Sequence, residues 1–384
     1  MKDIRVVFAF AEDVAFGSAL AAVELVKNLK QNEKVIPIVL TCQDSDLNRQ
    51  MDDLYIENYV VGHRPFMFCG NPATLKYYAA YFPRWIRNIV ATKKAVRRTE
   101  SAVDLSTVDL IYTNTLTIDL GAILAQKYQL PHVWHVREYG NFGFHSYRGD
   151  PFALVQKSAD AVIAISEALA QYCVEHNIEE KKVTAIYDGV DFEKICTKKK
   201  GEGNTFRIVM AGTLAREKGY ITAIKAISAL PKELKKKVRL DIFGSGTSTE
   251  IREIHEAIQC EHLEKQIMLK GYNRQLAQEL SNYEVGIVAS KSEGFGRCTV
   301  EYIAAGLWVL GSNTGATPEV LKMTEGGWLF PYEDAHALAG LLQRVYLEKP
   351  EQNAAYKVRE LFSAKENAHQ IRNVFDRTVK LNAE

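Results

Sequence analysis

The residues with the clearest chemical signature lie in 290–321, SKSEGFGRCTVEYIAAGLWVLGSNTGATPEVL. This stretch follows an apolar run, VGIVAS, and its Gly294 and Gly296 let backbone approach a ligand closely. Residues 297–305 then read as a short helix ended by Gly306. A glycine-rich loop feeding a helix N-terminus is an anion site, because unpaired N–H groups and the helix dipole both favour phosphate. Glu293 and Glu301 frame that site, one in the loop and one a turn into the helix. A carboxylate beside a pyrophosphate is unfavourable unless it faces something else. Sugar hydroxyls are natural partners, since each carboxylate can accept two hydrogen bonds from a diol. A second stretch, VMAGTLAREKG at 209–219, reads as a strand ending at Gly212, a short loop, and a helix beginning near Lys218.

Such loops need a sheet whose strand ends present them together. Short apolar runs alternate with helical patterns along the whole chain. Expected strands are 4–10, 35–40, 108–112, 132–136, 161–165 and 183–186, then 207–210, 238–243, 266–269, 285–289, 308–311 and 328–330. Runs such as IRVVFAF and YEVGIVAS are too continuously apolar for half-exposed strands and suit parallel strands covered on both faces by helices. The most polar break, KICTKKKGEGNT at 194–205, marks a linker. The expected organisation is α/β: a doubly wound N-terminal domain at 1–192, a linker at 193–205, a second such domain at 206–362, and a C-terminal helix at 363–384. Two doubly wound domains in tandem predict a cleft at the carboxyl ends of both sheets, where ligands bind.

Bulk properties agree with a two-domain enzyme. The chain has 384 residues, more than one core usually organises, and 47% of them are hydrophobic. Lys+Arg at 48 and Asp+Glu at 47 nearly cancel, which argues against a nucleic-acid partner. The six cysteines show no CxxC spacing and read as reduced thiols. The N-terminal apolar run is broken by Glu12 and Asp13 and reads as a strand, so the expected location is cytoplasmic.

With these motifs in place, the chain resembles the retaining glycosyltransferases of family four, which have the GT-B fold of two facing Rossmann-like domains. The resemblance rests on Glu293-x7-Glu301, with Phe295-Gly296 just after the first glutamate, a helix-ending glycine, and a later Gly-x-x-Pro-Glu. It implies that Glu293 holds hydroxyls of the donor sugar and that Glu301 holds the ribose diol. The amides of Cys298 and Thr299 would meet the diphosphate, and Gly294, Phe295 and Gly296 would line it. Members usually carry Gly-Arg and then Lys-Gly in the 209–219 stretch, both cations clamping the diphosphate. Lys218 keeps its place, but Thr213 stands where the arginine is expected, with Arg216 nearby as a substitute. A bidentate arginine fork is not freely replaced. ADAVIAISEAL at 159–169, YDGVD at 187–191, DIFGSG at 241–246 and KGY at 270–272 match in the expected order, and Tyr272 is a base-edge candidate. The C-terminal helix is expected to return to the N-terminal domain.

In the first half, the strand at 132–136 ends near His135, which the resemblance places beside the donor sugar or the acceptor. Arg137 and Glu138 could pair with each other or line the acceptor site. Gly17, between the first strand and its helix, would admit substrate, although many relatives have two glycines there. The implied reaction moves a hexose-type sugar from a nucleotide-diphosphate sugar, UDP- or GDP-linked, with retention and without a protein nucleophile. No DxD-type motif follows a strand end, so neither metal nor cofactor is expected. The segment 77–98, YYAAYFPRWIRNIVATKKAVRR, joins aromatic and basic groups without an acidic residue. That mixture suits either a peripheral membrane contact, hence a glycan or lipid-linked acceptor for surface polysaccharide or glycolipid, or a helix with an aromatic core face. A nucleotide-sugar epimerase and a catalytically inactive accessory subunit are the competing expectations.

Overall fold

The computed structural model describes residues 2–11, 17–69, 75–140, 144–197 and 205–382, with backbone alone at 17–18, 68–69, 75–80 and 144. The chain forms two compact units, Met1–Gly189 with Ala364–Glu384, and Val190–Ser363.

The first unit contains β1 Ile4–Ala9, β2 Val35–Thr41, β3 Glu57–Val60, β4 Met67–Cys69, β5 Leu110–Asn114, β6 His132–Val136, β7 Phe144–Ser146, β8 Ala161–Ala164 and β9 Val183–Ala185. Seven of these form one sheet in the order β3-β2-β1-β5-β6-β8-β9, all parallel, and β4 pairs with β7 in a small antiparallel ribbon. Apolar side chains emerge on both faces: Val6 and Phe8 join one core, Val7 the other. Tyr112 and Ile111 on β5 divide the same way. Strands buried on both sides demand helices on both sides, which is why the sequence reads as a doubly wound layer.

Helix Ala364–Leu381 belongs to this first unit. It adds Ala368, Ile371, Val374 and Phe375 to the core of Val6 and Phe8. Phe375 meets the rings of Phe8 and Tyr112 at 6.2 and 5.7 Å between centroids. Arg372, fully enclosed, donates to the carbonyls of Lys2 at 2.7 Å and Lys34 at 3.1 Å, and also to that of Glu33.

The second unit holds β10 Phe206–Ala211, β11 Val238–Phe243, β12 Ile267–Gly271, β13 Val285–Val288, β14 Trp308–Ser312 and β15 Gly327–Phe330. They form one parallel sheet in the order β12-β11-β10-β13-β14-β15. The connection reverses direction between β10 and β13, and at such a reversal the loops leaving neighbouring strands part and open a crevice.

The chain enters the second unit earlier than its composition suggests. Val190 donates to Phe362 O at 2.8 Å and bridges Ser363, while Arg359 donates to the carbonyls of Phe192 and Ile195. The expected linker at 193–205 therefore begins inside the second unit, because Val190, Phe192 and Ile195 are buried there ahead of the polar stretch. Residues 198–204 of that linker lie outside the described residues. Among the described residues no helix is long and apolar enough to cross a membrane.

Candidate active site

The two motif loops leave β10 and β13 on either side of the reversal point. Two glycines allow the β13 loop to be approached closely, one from the β10 loop and one from the segment after β14. Gly219 has φ +73°, and a Cβ there would lie 2.2 Å from Ala289 O at the end of β13. Gly315 has φ +60°, and its Cβ would lie 2.5 Å from the amide nitrogen of Glu293. The Gly-x-x-Pro-Glu element thus braces the loop that carries Glu293, and Ala316 N adds a 2.9 Å bond to Glu293 O. Ser312 Oγ and Thr314 Oγ1 both donate to Ser290 O, at 2.6 and 2.9 Å, fixing the loop's first residue.

Within this frame Lys218 Nζ lies 2.8 Å from Glu293 Oε1, and Ser290 Oγ donates to the same oxygen at 2.5 Å. Oε2 takes no protein hydrogen bond among the described residues. Both side chains are partly buried. Burial opposes the charge on Lys218, but the Glu293 carboxylate beside it outweighs that and raises its pKa. The ammonium stays charged at neutral pH beside a carboxylate with one oxygen open.

Gly296, with φ +82°, caps helix Arg297–Ala304. Glu301 on this helix accepts from Arg297 Nε at 2.8 Å, an i to i+4 pair. The two amides expected to meet an anion differ. Thr299 N donates to Gly296 O at 2.8 Å in the tight first turn, and its side chain is fully buried. No acceptor among the described residues takes the amide of Cys298. The Cys298 thiol donates to Ala211 O at 3.5 Å, and burial pushes its pKa up to about 12, so it is not a thiolate nucleophile. Phe295 is buried against Phe362, with 5.4 Å between ring centroids, and anchors the loop.

Arg216 does not join this cluster. Its guanidinium holds Glu253 through Nε at 2.8 Å and its terminal nitrogen at 2.7 Å, on an exposed surface. Tyr272 is half exposed just beyond β12. Gly244 N donates to Gly271 O at 2.9 Å and Gly212 N to Phe243 O at 3.1 Å, which ties the ends of β12, β11 and β10 into one rim.

In the first unit, Gly17 opens helix Gly17–Asn32, while the preceding Phe16 lies outside the described residues. His135 is fully buried on β6, with Nδ1 bonded to the Tyr112 hydroxyl and Nε2 unpartnered among the described residues. Burial first, then Arg137, holds its pKa well below the ordinary value, so it is neutral. Arg137 is paired with Asp188, and Glu138 accepts from Leu116 N at 2.8 Å. Motif reading missed Ser290, Arg297, Ser312 and Thr314. Only Arg297 left a signal, its i to i+4 spacing from Glu301.

Two family models match. "Glycosyl transferases group 1" covers residues 191–360, and "Glycosyltransferase Family 4" covers 17–194. The chain belongs to this glycosyltransferase family.

Relatives agree with that assignment. The glycosyltransferase is 26% identical over 255 residues to the GtfA subunit of the UDP-N-acetylglucosamine–peptide N-acetylglucosaminyltransferase of Streptococcus pneumoniae. That match takes in 63% of this chain and 49% of the relative, so the chain spans about half that relative's length. An uncharacterized glycosyltransferase of Methanocaldococcus jannaschii is 28% identical over 70% of this chain and 73% of its own length. Among solved structures, HepE of Anabaena in complex with UDP and glucose shares the fold at TM-score 0.78 and 19% identity, over 97% of this chain and all of HepE. Pneumococcal GtfA with UDP and GlcNAc aligns at TM-score 0.71 and 16% identity, over 99% of this chain and all of that one. The GT-B architecture is therefore shared with both.

Proposed function

We propose that this glycosyltransferase moves a hexose-type sugar from a UDP- or GDP-sugar to a glycan or lipid-linked acceptor, with retention of configuration and without metal. The observation that carries the reading is the Lys218–Glu293 pair at the strand reversal, with one carboxylate oxygen open. Lys218 would meet the diphosphate together with the free amide of Cys298 at the helix mouth. Glu293 Oε2 would accept from a sugar hydroxyl, and Glu301 from the ribose. Charge building on the leaving phosphate would be met by the Lys218 ammonium already in place, the main electrostatic task in such a transfer. The acceptor's proton would pass to the leaving phosphate, as the front-face mechanism requires. His135 Nε2 would serve the sugar or acceptor as a neutral hydrogen-bonding group. UDP in the HepE and GtfA structures favours uridine among the bases.

Surface polysaccharide or glycolipid synthesis follows from a membrane-side acceptor. Helix Leu75–Ala102 supports it by exposing Phe82, Ile86 and Val90, four residues apart, beside exposed Arg84, Arg87 and Lys94. One observation favours an inactive accessory subunit: Thr213 replaces the usual arginine and Arg216 is committed to Glu253. A thermal-shift series with UDP, GDP, ADP, TDP and CMP, without and then with magnesium, tests the donor site. A ligand at ~100 times its Kd should add about 2.7 kcal/mol. Stabilisation by one diphosphate without metal, lost in Glu293→Ala together with sugar transfer, supports the enzyme. Stabilisation without any transfer supports the accessory reading, and no response to any nucleotide sinks the donor site.

A further inference from the structure

Helix Arg297–Ala304 begins with a cation that does nothing for its own stability. Arg297 is its first residue, and its first turn holds no acidic side chain. The helix dipole favours anions at that end and cations at the other. Arg297 donates through Nε to Glu301 Oε1 at 2.8 Å. An i to i+4 ion pair supports a helix better when the acid comes first in the chain, and here the base comes first. Helix stability therefore gives little reason for the pair. What the pair does accomplish is to fix a carboxylate.

The two glutamates of the motif are held alike. Lys218 Nζ takes Glu293 Oε1, and Arg297 Nε takes Glu301 Oε1, both at 2.8 Å. Glu301 Oε2, like its counterpart on Glu293, takes no hydrogen bond among the described residues. That oxygen is not sealed in, since the Glu301 side chain is 22% exposed. Each carboxylate is thus gripped by a cation on one oxygen and open on the other.

We infer that Arg297 is a positioning residue for the donor's ribose, acting through Glu301 and making the site selective for ribonucleotides. The inference rests on the role proposed above for Glu301. A glutamate on a helix surface samples many rotamers, and ordering it costs entropy when a ligand binds. The bond from Nε removes much of that cost in advance. It occupies one lone pair of Oε1 and leaves the other, with both of Oε2, for the two hydroxyls of a diol. A nucleotide without those hydroxyls leaves the fixed carboxylate facing nothing. Sites built to bond a hydroxyl reject analogues that lack it. The donor class is then a ribonucleoside diphosphate sugar.

The test uses the full chain with Arg297→Met, Arg297→Lys and Glu301→Gln, titrated by calorimetry with UDP, GDP and their 2′,3′-dideoxy forms. The wild type should bind one ribonucleotide about tenfold more tightly than its dideoxy form. Arg297→Met should weaken the ribonucleotide about tenfold and leave the dideoxy form within about twofold. Arg297→Lys should recover most of that loss, because an ammonium can hold the same carboxylate. Adding Arg297→Met to Glu301→Gln should cost no more than Glu301→Gln alone, as expected of a residue that acts through another. The melting temperature should hold, since a partly exposed pair adds little to stability. Equal losses for both forms would place Arg297 on the diphosphate, and unchanged affinity in Arg297→Met would leave the pair without a role in binding. Either result overturns the inference while the donor site stands. A wild type that binds neither nucleotide overturns the donor site and the inference with it.

Discussion

Lys218 and Glu293, 75 positions apart, meet at 2.8 Å where the sheet of the second unit reverses its winding. The pair neutralises two partly buried groups before any ligand arrives. It also holds the ammonium in its charged form at the spot where a diphosphate would need it.

Replacing Glu293 by Gln removes the group that raises the Lys218 pKa and leaves the burial that lowers it. The Lys218 pKa should fall, as followed by NMR of isotopically labelled lysine. Turnover should drop by about 10²–10³ if the carboxylate also holds the sugar in the transition state. An unchanged lysine titration would mean that the pair does not persist in solution.

Gly315→Ala should loosen the donor loop. Besides its positive φ, the added methyl would stand 2.5 Å from Glu293 N and 2.7 Å from Glu293 O. The expected cost is about 1–3 kcal/mol in urea unfolding, with weaker UDP binding by calorimetry. Wild-type affinity in this variant would show that the bracing contact does not shape the site.

Arg216→Ala should leave both the melting temperature and donor affinity where they are, because its exposed fork serves Glu253. A tenfold loss of nucleotide affinity would show that Arg216 leaves Glu253 to clamp the diphosphate after all.

Acid should destabilise the fold through its buried histidines. Burial holds His63 and His132 down to about 4, from an ordinary value of 6.5. Between these values the unfolded chain binds protons that the folded one refuses, so stability is complete above pH 6.5 and is lost as pH falls toward 4. Each histidine contributes roughly 3 kcal/mol to that loss. Urea midpoints at pH 7.5, 5.5 and 4.5 measure it, and His132→Gln should flatten the curve. A flat curve in the wild type would contradict the burial of both rings.

Arg372→Met should cost about 2–4 kcal/mol, since it strands the enclosed carbonyls of Lys2, Glu33 and Lys34. Urea unfolding of the first unit's signal would register it, and a neutral result would mean that water replaces the guanidinium.

Much of the fold was legible because its strands are buried on both faces, so continuous apolar runs betray them. IRVVFA and VRLDIF were located to within a residue of β1 and β11. β3, with the sequence ENYV at the sheet edge, escaped because half of its residues face solvent. β4 and β7 escaped because they form a short antiparallel ribbon outside the parallel sheet and its alternation of strands with helices. In the candidate site the glutamates and Lys218 could be read from local spacing. The Lys218–Glu293 contact could not, since sheet order creates it. Nor could the bond from the Thr299 amide to Gly296 O, which depends on how tightly Gly296 turns the helix start. The basic stripe of 77–98 was visible as composition, but only packing separates the part that faces outward at Phe82 and Ile86 from the part that is buried at Thr92.

The placement of helix Ala364–Leu381 also sets an order of events during synthesis. Phe8 and Tyr112 leave the ribosome early, yet Phe375, which covers them, is translated only after all of 190–363. Most of the second unit emerges while the first is still waiting for its lid. Until Phe375 emerges, the first half therefore keeps bare apolar rings, and that is the interval in which a chaperone has something to hold.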